Sequence, residues 1–288
     1  MRTSIQLYLF RFWDKALVAF VMALATLGAG QSIAAGIADT KHNLGTGNTR
    51  PGENRVTAGT EEICVFCHTP HGADTSAPAP LWNKRLPVGA SYTTYATLNS
   101  STIDGTILAV GSVSLACLSC HDGAQAMDNI INAPGSGGYD VTGGGALGLG
   151  YTWAGPRVDV DGRLTGATNA ALLGTDLSND HPIGIQYCGG GPNATTPSGA
   201  CRDADFVAPQ NATINSNLVW WVDTAVGTPG TRQRTDMMLY TRSFGGTNGP
   251  SVECGSCHDP HTPAVGTQVA FLRISNASSG LCLACHVK

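Results

Sequence analysis

The chain has 288 residues, a formal net charge of −4 and charged side chains at only 12% of positions, about half the usual quarter. So weakly charged and acidic a chain excludes nucleic acid as a partner, because phosphate binding needs clustered bases. Its 37 glycines predict that loops outweigh regular elements.

At the N-terminus, Arg2, Arg11 and Lys15 precede an apolar run from Ala16 to Gly30 and then the small residues "SIAA". This is the pattern of an export signal over residues 1–35, cleaved after Ala34 or Ala35. The run falls short of the roughly 20 residues of a spanning helix, which makes a retained anchor the weaker reading. No cysteine lies near the cleavage region to accept a lipid. Loss of residues 1–35 leaves 13 Lys+Arg against 19 Asp+Glu, a formal charge of −6.

Ten cysteines in an exported chain would ordinarily form a disulfide framework. Eight of them instead fall in four copies of Cys-x-x-Cys-His: Cys64/Cys67/His68, Cys117/Cys120/His121, Cys254/Cys257/His258 and Cys282/Cys285/His286. Chance would supply ~0.01 copies, and this spacing is the attachment signature of c-type haem. Two thiols form thioethers to the porphyrin vinyl groups while the histidine that follows turns its imidazole onto the iron, so the expected cofactor is haem c, four per chain. A zinc reading would pair two motifs per metal and leave every trailing histidine unexplained. The remaining pair, Cys188 and Cys201, flanks the loop "GGGPNATTPSGA" and is expected to form a disulfide, with two buried free thiols as the alternative.

Eight histidines less these four proximal ones leave His42, His71, His181 and His261, equal in number to the open axial positions. Met127, Met237 and Met238 are the competing ligands and read instead as packing. In "CHTPH" the residue before Pro70 is pushed out of helical geometry, so one iron does not take both His68 and His71. His71 is therefore expected to reach a different haem, and His261, which follows His258 across Asp259-Pro260, to do the same.

The spacings suggest an internal repeat: an N-terminal dihaem module over 36–121, a glycine-rich loop and β insert over 122–253, and a C-terminal dihaem module over 254–288. Within the insert, "APGSGGYDVTGGGALGLG" (133–150) is too glycine-rich for a stable element, "DVDG" (159–162) reads as a turn, and "NLVWWVDT" and "MMLYTRS" read as an antiparallel pair. "QVAFLRI" (268–274) reads as a strand, with Ser275 or Asn276 capping a short helix that carries Cys282 to His286. The expected fold is mostly irregular and loop-rich, with short helices, a few short β-strands and a core of stacked haems.

The stretches "DTKHNLG" (39–45), "CVFCHTPHG" (64–72), "NDHPIGI" (179–185), "VECGSCHDPH" (252–261) and "FLRISNASSGLCLACH" (271–286) resemble the multihaem c-type cytochromes with doubled CxxCH motifs. Within these, the chain resembles the extracellular tetrahaem filament (nanowire) subunits of the outer membrane cytochrome E type. The resemblance implies a homopolymer with haem-to-haem contact between subunits. It also implies one axial histidine supplied by a neighbour, a role that falls by position on His42, with ligation inside its own chain as the alternative.

With imidazole in both axial positions an iron has no open site for substrate, so the expected function is electron transfer and not catalysis. Donors would be periplasmic or outer-membrane cytochromes, and acceptors extracellular. An exported protein at the cell surface or outside the cell fits this, with the periplasm as alternative. The rival readings are a monomeric electron carrier, a multihaem reductase with one five-coordinate haem, and a membrane-anchored quinol dehydrogenase that retains residues 16–34.

Overall fold

A computed structural model describes residues 35–143, 148–224, 227–262 and 271–287. The expected signal segment lies outside these apart from Ala35. Among the described residues no helix is long and apolar enough to cross a membrane.

Regular elements are short, as the glycine content requires. The helices that carry motif residues are α1 (Ser112–His121), α2 (Cys254–Cys257) and α3 (Gly280–Cys285), and single 3-10 turns such as Cys64–Phe66 and Ala277–Ser279 stand elsewhere. Strands β1 (Arg55–Ala58) and β2 (Thr152–Ala154) form a two-stranded antiparallel sheet. Strands β3 (Ile185–Gln186), β4 (Gln210–Ile214), β5 (Asn217–Val222), β6 (Met237–Phe244) and β7 (Thr247–Val252) form a second sheet in the order β3-β7-β6-β5-β4.

The second sheet follows from local signals. In the two-residue loop between β6 and β7, Gly245 and Gly246 both have positive φ, as a type I′ hairpin demands. Asn215 and Ser216 serve the β4–β5 turn in the same way. The expected antiparallel pair is present, with Trp220 opposite Leu239 and Trp221 opposite Met238. Trp220 and Trp221 are both buried, and Trp220 packs with Tyr187, Val222, Met237 and Leu239.

Of the strand expected over 268–274, residues 268–270 lie outside the described residues, and 271–274 are turn and bend with one bridge, Leu272 to His258. The reason is Arg273, whose amide goes to the Cys257 carbonyl and whose guanidinium reaches the Gly255 and Arg234 carbonyls, so the segment serves the third motif instead of a sheet. At the helix that follows, the Ala277 amide is accepted by Ser275 Oγ, while Asn276 makes no side-chain cap.

Apolar burial is divided among three small clusters. One joins Leu44, Val56, Val65, Phe66, Met127 and Ile130; a second is built on Tyr187 and Trp220; the third on Tyr92, Val110, Leu118 and Leu177. Residues of the insert pack against those of the first module. Lys84, fully buried, donates to the main-chain oxygens of Ala126 (2.9 Å), Met127 (3.3 Å) and Asn129 (2.9 Å). Asn83 bonds the Val65 and Asn132 carbonyls beside it.

Candidate functional site

Each motif places its residues by one helical turn. The amides of His68, His258 and His286 bond the carbonyls of Cys64 (2.7 Å), Cys254 (3.1 Å) and Cys282 (2.9 Å), and the second motif ends α1. Residues three and four apart on a helical turn share a face. Both cysteines and the histidine of each motif therefore address one ligand. All eight motif cysteines are free thiols, and the only disulfide among the described residues is Cys188–Cys201.

The leftover histidines do not stay near their own motifs. His261 faces His68 with ring centres 6.1 Å apart, and His42 faces His121, also at 6.1 Å. Two metal–nitrogen bonds of about 2 Å, plus about 1.1 Å from each nitrogen to its ring centre, separate trans imidazoles by roughly 6 Å. Both pairs therefore fit a single iron held between them. His181 lies within electrostatic reach of His286. Neither His181 nor His71 meets another ring among the described residues; His71 is exposed, while its carbonyl accepts from Thr69 Oγ1 and Asn132 Nδ2, both at 2.9 Å.

His42, for which position implies a ligand to a neighbouring subunit or to its own chain, lies on a segment that is fastened. Asn43 Nδ2 bonds the Ala38 carbonyl, Asn48 Nδ2 bonds the Asn43 carbonyl, and Leu44 enters the first core cluster. The His42 ring stacks on Phe271 with centres 4.3 Å apart.

Ligand chemistry extends to the second nitrogen of these rings. His68 Nδ1 and His121 Nδ1 each lie 2.7 Å from a carbonyl oxygen, of Pro80 and Ala171, and His181 Nδ1 lies 3.1 Å from that of Pro182. His261 Nδ1 is 3.5 Å from Asp259 Oδ1. A carbonyl or carboxylate on Nδ1 fixes the tautomer that leaves Nε2 free for a metal. Coordination also requires neutral imidazole. Burial first, then the neighbouring His121, His261 and His258, depresses His42 to about 3, and burial lowers His121 and His181. His261 is raised by its Asp259 partner.

The space beside the first motif fits a porphyrin-sized group. A cleft of about 580 Å³ is lined by Cys64, His68, Pro70 and Asn132 among others, within the roughly 300–1,000 Å³ of ligand sites. Trp82, edge-on to His68, keeps a buried indole Nε1 with no hydrogen-bond partner among the described residues. Those residues also contain no cluster of three or more His, Cys, Asp or Glu side chains of the kind a zinc centre needs.

The thiols of successive motifs lie within electrostatic reach of one another. Burial, and after it the Cys120 thiol, pushes Cys67 up to about 12. Cys117 hydrogen-bonds Cys254, and burial followed by the Cys257 thiol raises Cys285 to about 12. These electrostatic effects link first to second, second to third and third to fourth motif. Met127, Met237 and Met238 are buried in packing roles, with Met238 Sδ accepting from Arg232.

Residues 249–288 match the family model described as the doubled CXXCH motif. Together with the four attachment signatures, the match supports a multihaem c-type cytochrome with covalently bound haem c and an electron-transfer role. No curated protein and no solved structure matches the chain.

What sequence reasoning missed are the polar side chains that fasten one motif to the next: Asn83, Lys84, Ser114, Arg242 and Glu253. The one available signal was charge economy, since a chain with so few ionisable groups places a glutamate directly before Cys254.

Proposed function

We propose that the chain is a tetrahaem cytochrome that passes electrons along four haems c in motif order, with His68/His261, His121/His42, His286/His181 and His258/His71 as axial pairs. The observation that carries this reading is the pair of imidazole couples at 6.1 Å, each joining residues from distant parts of the chain. Haem c supplies a reversible one-electron change at each site. The chain's part is to orient the imidazoles, to favour the neutral form of His42, His121 and His181 by burial, to fill both axial positions against substrate, and to keep successive attachment points near one another. The same filling disfavours a reductase.

The assembly we infer is an exported, extracellular homopolymer that receives electrons from periplasmic or outer-membrane cytochromes and delivers them to external acceptors. Two features support it. Low surface charge suits broad contact faces better than steering of a diffusing partner, and apolar side chains stand exposed at Val88, Tyr139, Val160, Leu283 and Val287. With His42 facing His121 in its own chain, His71 becomes the candidate ligand to cross between copies; ligation of the His258 iron within the chain is the alternative. Electron microscopy of the haem-loaded protein sheared from cells tests assembly: regular filaments are expected, and uniformly small particles would favour a diffusing carrier. A haemochrome assay on the same sample tests the count of four.

A further inference from the structure

Glu253 is among the most buried side chains of the protein, at 1% exposure. An isolated carboxylate there would cost several kcal/mol, and even a paired one is rarely a net gain in stability over apolar packing. Its surroundings are specific. Ser114 Oγ donates to Oε2 at 2.6 Å, Arg242 Nη1 and Ser251 Oγ donate to Oε1 at 2.8 and 3.0 Å, and the Ser256 amide donates in a reciprocal cap of α2.

These bonds join two attachment helices. Ser114 lies in the first turn of α1, three residues before Cys117, and its hydroxyl also accepts the Cys254 amide at 3.0 Å. Arg242 Nη2 holds the Ala109 carbonyl ahead of α1 at 2.9 Å. Glu253 thus ties the start of α1, which carries Cys117, to the start of α2, which opens with Cys254. Ser251, by contrast, bonds the same carboxylate from β7 and reaches nothing on α1.

Resting on the reading that these two motifs carry haem, we propose that Glu253, acting through Ser114, is a positioning residue that sets the spacing and orientation of the second and third haems. A merely structural role predicts that loss of any of its hydrogen bonds weakens the fold alike. A positioning role predicts that only the bonds bridging α1 and α2 matter to haem–haem geometry.

The test uses the full haem-loaded protein and compares Ser114→Ala, Ser114→Thr, Glu253→Gln and Ser251→Ala by Soret circular dichroism, which reads exciton coupling between neighbouring haems, and by stepwise reductive titration. Ser114→Ala and Glu253→Gln should lose couplet amplitude and shift two of the reduction steps, Ser114→Thr should restore both, and Ser251→Ala should match the parent. Unchanged spectra in Ser114→Ala, or an equal change in Ser251→Ala, would overturn the proposal. If Glu253→Gln fails to load haem, the serine variants, which keep the carboxylate, decide it alone. A haem count on the parent protein below four would instead strike at the underlying reading.

Discussion

His68 and His261, from distant parts of the chain, face each other with ring planes 17° apart and centres 6.1 Å apart. On the proposed pairing, the short segment that carries the third motif's cysteines and His258 also closes the site of the first motif. The Pro in each Cys-His-x-Pro-His run makes this possible, because it turns the second histidine away from the first. The consequence is mutual dependence: neither end of the chain completes its site alone.

Replacing His261 by Ala should open one axial position at the first motif and leave the covalent attachment intact. One haem of the set should become high-spin and bind carbon monoxide, seen by difference spectroscopy. His42→Ala should do the same at the second motif, and the double variant should bind twice as much. A single variant with no change in carbon monoxide binding would show that its histidine is not a ligand.

Lys84 offers a test of how the first two motifs are held. Replacement by Met keeps the volume but takes the donor from the Met127 and Asn129 carbonyls, while that of Ala126 keeps the Asn129 amide at 3.0 Å. An unsatisfied buried group costs about 1–3 kcal/mol, so a loss of about 3 kcal/mol or more is expected. Chemical unfolding of the haem-loaded protein should show a lower midpoint with an unchanged slope.

The attachment residues were legible in the sequence because their chemistry fixes a spacing of five consecutive positions. The β5–β6 pairing was legible because alternating aromatic and aliphatic residues bounded by turns carry a local period. The disulfide was legible by elimination, since only Cys188 and Cys201 stood outside the motifs. Lys84 and Glu253 were not. Each is defined by partners far away in the chain, Ala126 to Asn129 for one and Ser114 for the other, and no local pattern encodes such a meeting. The setting of His42 was hidden for the same reason, because the anchoring of its segment by Asn43 and Asn48 and its stacking on Phe271 are tertiary facts.

Asp128 predicts a pH dependence. Burial raises its carboxyl pKa above the ordinary value, and the Tyr151 amide and the Lys84 charge offset this only in part. The folded state then binds the proton more tightly than the unfolded state, so this contribution to stability is full below the ordinary carboxylate range and is lost as pH rises through the folded value. Asp128→Asn should flatten the stability profile across that window. Unfolding midpoints of both proteins, taken over a series of pH values, check it; parallel profiles would exclude Asp128 as the source.

The Cys188–Cys201 bridge closes a loop of 13 residues beside the fourth motif. Tyr187 and Cys188 pack in the same cluster as Leu281, Ala284 and Cys285, and the Val207 amide bonds the Cys285 carbonyl. A bridge over a loop of this length contributes about 3 kcal/mol. The double Ser variant should lose about that much, and the loss should be accompanied by a perturbed haem at the fourth motif, where His286 packs on Phe206 at 4.4 Å. Thermal unfolding monitored in the Soret band separates the two effects. A stability loss without spectral change before melting would confine the bridge to its own loop.

His71 carries the last prediction, because its ring is exposed while its backbone is fixed by Thr69 and Asn132. If it crosses between copies, His71→Ala should load haem and fold as a monomer with His68/His261 and His42/His121 intact, yet fail to polymerise. Exogenous imidazole should then restore the low-spin spectrum without restoring assembly. Under ligation within the chain, the same variant would still form filaments and would show one altered haem in each subunit. Electron microscopy and spin-state spectroscopy on one preparation distinguish these outcomes, because the first moves assembly while the second moves only the iron.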